Sequence, residues 1–292
     1  MTNTYRITHS TEYVYASFVK SGYSQLRLLP RDGGEQRCLQ SRVIVRPAPD
    51  DRHEHLDFFG NRVSYVALQE RHRKLTVVAE SVVEVHERPG LSLFGDMAWE
   101  TVRDAVGSAG DEGVAAAHFA LDSSLVTAGP AFAAYAAPSF TPGRPIADAV
   151  VDLSTRIHRD FKYKPGKTRT DTPPDVVLRK RLGVCQDFAH VGIACMRSLG
   201  LPARYVSGYL ETDPPPGRPR LVGADASHAW FSALVPGAGW LDVDPTNDQV
   251  VNERYVVVGY GRDYRDVAPV SGVIFTRGRT KSLTVTVDVV PV

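Results

Sequence analysis

The sequence predicts an α+β fold in which a β-rich N-terminal domain precedes a core of helices and an antiparallel sheet. Up to about residue 90, short runs of β-branched and aromatic residues alternate with turn residues and show no long helical period. From residue 143, apolar residues recur at helical spacing, and a second group of strand-like runs follows them. The chain of 292 residues is long enough for about two such units.

The first 90 residues are typical of a small antiparallel sandwich or sheet. Gly33-Gly34 and Gly60-Asn61 supply turns between the runs. The strand-like runs lie at 5–15, 25–29, 41–45, 63–68 and 75–85. The clustered histidines of this region, at 53, 55 and 72, lie among charged residues without the spacing of metal ligands. We therefore predict no catalytic group in this domain.

The remaining chain divides by composition into three parts. Residues 91–142 are rich in Ala, Gly, Ser and Pro, which predicts a linker of short helices and loops. Residues 143–270 form the predicted core, and 271–292 are predicted strands that pack on the body. The core begins with an amphipathic helix, because one apolar face recurs at steps of three and four: Ile146, Val150, Leu153, Ile157 and Phe161.

Cys185 lies at the start of a second predicted helix, which Gly200 and Pro202 end. The partial positive charge and free N–H groups of a helix N-terminus favour a thiolate there and can stabilise an oxyanion. The other two cysteines lack these features. Cys195 falls inside the apolar stripe of the same helix and Cys38 has no evident partner, so we predict structural roles for both.

A cysteine nucleophile needs a base, and the base needs a group that orients it. His228 begins one strand of a predicted hairpin and Asp244 ends the other. If Leu234 pairs with Ala238, the antiparallel register sets His228 opposite Asp244. A register shifted by two residues sets Asp242 or Thr246 there instead. We favour Asp244, because it lies at the open end of its strand.

Four blocks of this sequence resemble the bacterial transglutaminase-like superfamily: GVCQDFAH at 183–190, SLGLPARYVSGY at 198–209, DASHAW at 225–230 and GWLDVDPTN at 239–247. The resemblance covers about 145–265, and the first 90 residues resemble the β-rich domain that accompanies this core in bacterial members. It implies a papain-like fold, with a cysteine-bearing helix on an antiparallel sheet. By motif, it implies Cys185 as nucleophile, His228 as base and acid, and Asp244 as the orienting carboxylate.

Four further residues are candidates for supporting roles at this site. Tyr163 lies upstream, where papain-like sites often add an oxyanion donor, and Gln186 directly follows the nucleophile. Trp230 shares a strand face with His228, and Asp242 shares one with Asp244. A zinc site is disfavoured because Cys185 and the other potential ligands of its helix do not share a face. We predict no metal and no cofactor.

The predicted chemistry is acyl transfer to and from a cysteine through a thioester, on a peptide or protein substrate. We favour a cysteine peptidase or amidase, because no lysine-selective feature is evident. The alternatives are a protein-glutamine transglutaminase and a non-catalytic peptide-binding module on the same fold. The charge balance of 34 basic against 33 acidic residues disfavours nucleic acid as a partner. Three cysteines, no apolar signal core and no membrane-spanning run predict a cytoplasmic protein, with no oligomeric state indicated.

Overall fold

One long strand organises the N-terminal sheet. The computed structural model describes residues 2–88, 90–106, 116–212 and 227–292. Four strands join β1 (Thr2–Leu26) before residue 90: β2 (Gln36–Arg46), β3 (Asp51–Leu56), β4 (Arg62–Leu68) and β5 (His72–His86). Their order is β2-β5-β1-β4-β3, and all neighbours are antiparallel. The β-rich N-terminal region predicted from the sequence is confirmed.

The end of the chain returns to this same sheet. Its last strands are β13 (Val270–Thr276) and β14 (Thr280–Pro291). The first half of β1 lies between β5 and β14, and its second half lies between β4 and β13. Main-chain hydrogen bonds therefore tie the C-terminal strands to the first strand of the protein.

Short helices connect this sheet to the core. A 3-10 turn (Leu91–Phe94), α1 (Trp99–Ala105) and α2 (Pro130–Ala136) precede the longer α3 (Ile146–Asp160). The predicted apolar face of α3 is buried in the main hydrophobic core at all four helical positions and at the residue that follows the helix: Ile146, Val150, Leu153, Ile157 and Phe161.

The core places a buried helix on a five-stranded antiparallel sheet of order β11-β10-β9-β8-β12. The strands are β8 (Ala203–Leu210), β9 (Ser227–Val235), β10 (Gly239–Asp244), β11 (Gln249–Val250) and β12 (Tyr255–Gly261). Helix α5 (Cys185–Ser198) packs on this sheet so closely that a Cβ on Gly192 would lie 2.5 Å from the Phe231 ring. The predicted cysteine-bearing helix on an antiparallel sheet is confirmed.

The smaller elements of the core frame the start of α5. The two-residue strands β6 (Lys162–Tyr163) and β7 (Leu182–Gly183) pair in parallel immediately before the helix. Helix α4 (Pro174–Lys180) lies between them in the chain, and α6 (Tyr264–Val267) follows β12. This arrangement fixes the backbone from which Cys185 projects.

The β9–β10 hairpin has one of the three registers that the sequence left open. Leu234 pairs with Trp240 rather than with Ala238, and the turn consists of residues 236–238. Pro236 has no N–H to donate to the ladder, so the strand ends at Val235, one residue later than expected. This is the register that would set Thr246 opposite His228, so Asp244 is not the direct ladder partner of His228.

The two sheets share a buried apolar interface. Residues of β1, β5 and β14 meet residues of β8 and β12 in one cluster: Tyr5, Ile7, Val83, Val85, Tyr209, Val256, Val258, Val287 and Val289. Polar contacts reinforce it, because His9 Nδ1 lies 3.0 Å from the Tyr209 hydroxyl and Tyr5 donates to Glu211 at 2.9 Å. The N-terminal sheet therefore supports the back of the core sheet.

Candidate active site

Cys185 is the first residue of α5, and a carboxylate fixes the start of that helix. Asp187 Oδ2 accepts the backbone N–H of Val184 at 2.8 Å and the Thr168 hydroxyl at 2.6 Å. Gly183 leaves room for this cap, because a Cβ there would lie 2.7 Å from Asp187. The first N–H groups of a helix lack acceptors within the helix, so they are available beside the partly exposed Cys185 thiol.

His228 is hydrogen-bonded to Asp244 and also interacts electrostatically with Cys185. Its Nε2 lies 2.7 Å from Asp244 Oδ2, and the side chains are 11% and 0% exposed. Because Asp244 occupies Nε2, the other ring nitrogen, Nδ1, is the one available to the thiol. Burial disfavours the charged imidazole, but the hydrogen bonds and charges of Asp244 and Cys185 outweigh it and raise the pKa of His228 to about 10.

Asp244 contacts His228 from just beyond the paired part of the hairpin. The β9–β10 ladder ends at the pair Val243–Phe231, and the carboxylate reaches back to the imidazole from the next residue. Burial acts to raise the pKa of Asp244, but the hydrogen bond and charge of His228, with further donors, hold it below its usual value. Asp244 is therefore a fixed anion under the imidazole.

Two of those further donors are side chains that sequence reasoning did not assign to the site, and a third is a backbone N–H. The Tyr255 hydroxyl donates to Asp244 Oδ2 at 2.8 Å, and Asn247 Nδ2 donates to the same oxygen at 2.7 Å. The backbone N–H of Thr246 donates to Oδ1 at 2.8 Å. Asn247 ends the DPTN motif and lies close to Asp244 in sequence, so its contact could have been predicted. Tyr255 lies on β12, and no sequence pattern around it predicts a contact with Asp244.

Tyr163 and Gln186 lie near Cys185 but differ in the hydrogen bonds that they can offer. The β6–β7 register sets Tyr163 beside Gly183, and its side chain is 54% exposed. Burial, followed by the nearby Cys185 and Asp187 side chains, raises the pKa of Tyr163, so its phenol is a proton donor at neutral pH. Gln186 instead donates to the Thr170 carbonyl at 2.9 Å and holds the preceding loop.

Trp230 and Asp242 share the strand face of His228 but do not bond to it. Trp230 is fully buried under the imidazole, with ring centroids 6.1 Å apart, and packs on Tyr255. Asp242 accepts Arg88 Nη1 at 2.9 Å and the Ser232 hydroxyl. Asp242 therefore lies on the strand face of His228, as its parity with Asp244 predicts, but Asp242 bonds to Arg88 and Ser232 instead.

The other titratable groups of α5 are buried. Cys195 is fully buried, and burial raises the pKa of its thiol. His190 Nε2 accepts the backbone N–H of Tyr264 at 3.1 Å, and burial lowers the pKa of this histidine to about 4. Within the described ranges, no group of three or more His, Cys, Asp or Glu residues is arranged to hold a metal ion. None of the helices described there is long and apolar enough to cross a membrane.

Comparisons with known proteins agree with this architecture. The model of the bacterial transglutaminase-like N-terminal region matches residues 5–84, and that of the transglutaminase-like superfamily core matches residues 133–245. The chain is 47% identical to the uncharacterized protein Rv2569c of Mycobacterium tuberculosis over 297 aligned residues, covering 99% of this chain and 93% of that protein.

Two further similarities concern proteins described by an activity. A protein-glutamine gamma-glutamyltransferase of Pseudomonas aeruginosa is 39% identical over 100 residues, which cover 33% of this chain and 15% of that protein. A crystal structure from Cytophaga hutchinsonii, described as a putative cysteine protease, superposes with a TM-score of 0.73 at 21% identity. That superposition covers 99% of this chain and 92% of the other, which establishes a shared fold. The chain belongs to the transglutaminase-like superfamily, a group of cysteine-based hydrolases and acyltransferases.

Proposed function

We propose that this protein is an acyl-transfer enzyme in which Cys185 is the nucleophile, His228 is the general base and acid, and Asp244 orients His228. The observation that carries the proposal is a single imidazole that is hydrogen-bonded to a buried carboxylate and interacts with a thiol at the start of a helix. A thiol attacks carbonyl carbon as the thiolate, and an adjacent base that is itself oriented supplies that form.

In the first half of the proposed reaction, the thiol proton resides on His228 and the Cys185 sulfur attacks an amide carbonyl carbon. The carbonyl electrons move to oxygen, and the N–H groups at the start of α5, with Tyr163, are the candidate donors to that oxyanion. When the tetrahedral intermediate collapses, the C–N bond breaks and His228 gives its proton to the leaving amine. A thioester on Cys185 and a free amine result.

In the second half, an acceptor attacks the thioester while His228 takes its proton. With water as the acceptor, the products are a carboxylic acid and the free thiol, and the overall reaction is hydrolysis. We favour hydrolysis of a peptide or protein, because Cys185 is partly exposed and Tyr163 beside it is more than half exposed. Trp230 lies beneath His228 in the core, so it does not shield the thiol from water.

A transglutaminase is the second candidate, with a primary amine in place of water as the acceptor. The similarity to the Pseudomonas aeruginosa gamma-glutamyltransferase favours it, although that similarity covers a third of this chain. Both reactions use the same three residues and the same thioester. A non-catalytic binding module is disfavoured because the thiol, imidazole and carboxylate are all present and interact with one another through the imidazole.

The discriminating experiment is a peptide-library screen by mass spectrometry, with and without a labelled primary amine. Cleavage without incorporation of the amine identifies a peptidase, and incorporation at glutamine identifies a transglutaminase. The variant Cys185→Ala should abolish either product, whereas Cys38→Ser, a thiol control in the N-terminal sheet, should leave the rate unchanged. Equal product formation by the wild type and Cys185→Ala would refute the proposed nucleophile.

A further inference from the structure

A cavity of about 650 Å³ lies where the N-terminal sheet meets the core. Its lining includes Arg31 and Phe58 from the N-terminal sheet region and Arg204, Trp240 and Tyr260 from the core. It also includes residues 234–237 at the turn of the β9–β10 hairpin, whereas His228 lies at the other end of β9. Six residues of strand correspond to roughly 20 Å, so this cavity is separate from the proposed catalytic site.

One wall of the cavity is a stack of alternating guanidinium groups and aromatic rings. The Arg204 Cζ atom lies 3.6 Å from the centre of the Tyr260 ring and 4.1 Å from that of Trp240. Arg31 Cζ lies 4.5 Å from the Tyr260 ring, and Phe119 packs edge-on against Trp240. These cation–π contacts hold both guanidinium planes in place against the ring faces.

Neither guanidinium forms a direct ion pair within the described residues; the nearby carboxylates are Asp57 for Arg31 and Asp242 for Arg204. Arg31 donates to the Phe59 carbonyl at 2.9 Å and to Asn61 Oδ1 at 2.6 Å. Arg204 is 9% exposed, and its Nε donates to the Ser232 hydroxyl at 3.3 Å, which in turn donates to Asp242. Arginine stays charged in proteins, so two positive charges border this largely apolar cavity.

We propose that this cavity binds a small carboxylate with an aromatic body. Two guanidinium groups that form no direct ion pair border the cavity, so an anion bound there would interact favourably with both positive charges. The planar fork of arginine matches a carboxylate and forms two parallel hydrogen bonds to it. The rings of Phe58, Phe59 and Phe119 provide the apolar surface for the body of the ligand. The volume falls within the range of roughly 300–1,000 Å³ usual for small-molecule sites.

A free aromatic acid and a peptide that ends in an aromatic residue both combine a carboxylate with an aromatic ring. Calorimetric titration should use phenylacetate, its neutral analogue phenylacetamide, and a hexapeptide ending in phenylalanine with a free or an amidated C-terminus. The protein should carry Cys185→Ala, so that turnover cannot consume the peptide. If phenylacetate binds more tightly than the free-carboxylate peptide, the ligand is a free aromatic acid. If the peptide binds more tightly than phenylacetate, the ligand is a peptide C-terminus.

Variants test the assignment of the residues. Arg204→Gln should weaken binding of the carboxylate by tenfold or more and leave binding of the neutral amide unchanged. Phe58→Ala changes a side chain that is 76% exposed, so it should fold normally and still weaken binding several-fold. Arg42→Gln is the matched control, because that arginine is exposed in the N-terminal sheet and pairs with Glu80.

Three results would overturn the proposal: no binding of any carboxylate at millimolar concentration, equal binding of phenylacetate and phenylacetamide, or unchanged affinity in both the Arg204 and Phe58 variants. Because the site is distinct from Cys185, the outcome is independent of whether the protein proves to be a peptidase, a transglutaminase or neither.

Discussion

Replacing Asp244 by asparagine should impair catalysis without changing the shape of the site. The carboxylate accepts four close hydrogen bonds, from Thr246 at Oδ1 and from His228, Asn247 and Tyr255 at Oδ2. An asparagine has one acceptor oxygen, so its amide group must face at least one of these donors. If the amide faces His228, the imidazole must accept at Nε2 and carry its proton at Nδ1, where it cannot receive the thiol proton.

The size of the effect follows from the bond that is lost. A hydrogen bond to a charged group contributes about 1.5–3 kcal/mol. At about 1.4 kcal/mol for each factor of ten, the charge-assisted bond between Asp244 and His228 corresponds to about a 10- to 150-fold loss in kcat/KM. An inverted tautomer would add to this loss, so this range is the minimum expected.

The assay is kcat/KM on a peptide returned by the library screen, with the rate of Cys185 alkylation by iodoacetamide as a measure that needs no substrate. Both should fall in Asp244→Asn. The matched control is Asp242→Asn, a buried aspartate on the same strand that pairs with Arg88. It should keep kcat/KM near the wild-type value. A fully active Asp244→Asn variant with unchanged alkylation would refute the proposed role of this carboxylate.

Three further predictions concern the groups around the proposed triad. Tyr255→Phe removes one of the hydrogen bonds to Asp244 and should lower kcat/KM about 2- to 10-fold, with near-UV circular dichroism unchanged; a wild-type rate would contradict the support we assign to this hydroxyl. Gly183→Ala should displace the Asp187 cap and lower the free energy of unfolding by about 0.5–2 kcal/mol in urea denaturation, and an unchanged midpoint would argue against a tight fit there. The pKa of Asp244 is lowered in the fold, so its contribution to stability is present above its ordinary value of 3.8 and is lost as pH falls through the folded value. The pKa of His228 is raised, so its contribution is present below 6.5 and is lost as pH rises towards about 10. The difference in unfolding free energy between the wild type and Asp244→Asn should therefore be largest between pH 3.8 and pH 6.5, where both contributions are present. A difference independent of pH would contradict the ion pair.

Local spacing was sufficient to predict the parts of the fold that depend on neighbouring residues. The apolar face of α3 and the start of α5 at Cys185 follow from side-chain periodicity and helix-ending residues, and both are as expected. The hairpin register was not predictable in this way. Two glycines with positive φ, Gly237 and Gly239, allow several turns of similar length, and a small change in the turn moves the whole ladder.

Contacts between segments that are far apart in the chain could not be predicted from local sequence patterns. Tyr255 lies on β12, which β8 and β9 separate from β10 in the core sheet, and its hydroxyl still reaches Asp244. The pairing of β14 with β1 joins the two ends of the chain, and no local pattern specifies a partner so far away. Parity alone leaves Asp242 and Asp244 on the same face; the open end of the strand favours Asp244, and the family resemblance selects it.

The central claim is that Cys185 forms a covalent acyl intermediate, and acylation by an activated ester tests it most directly. The protein would be mixed with p-nitrophenyl acetate near neutral pH, quenched in acid and mapped by mass spectrometry. We predict a burst of one equivalent of nitrophenol, with one acetyl group on the peptide that contains Cys185, and no burst in Cys185→Ala. An equal burst in that variant, or acetylation of Cys38 in preference to Cys185, would contradict the account.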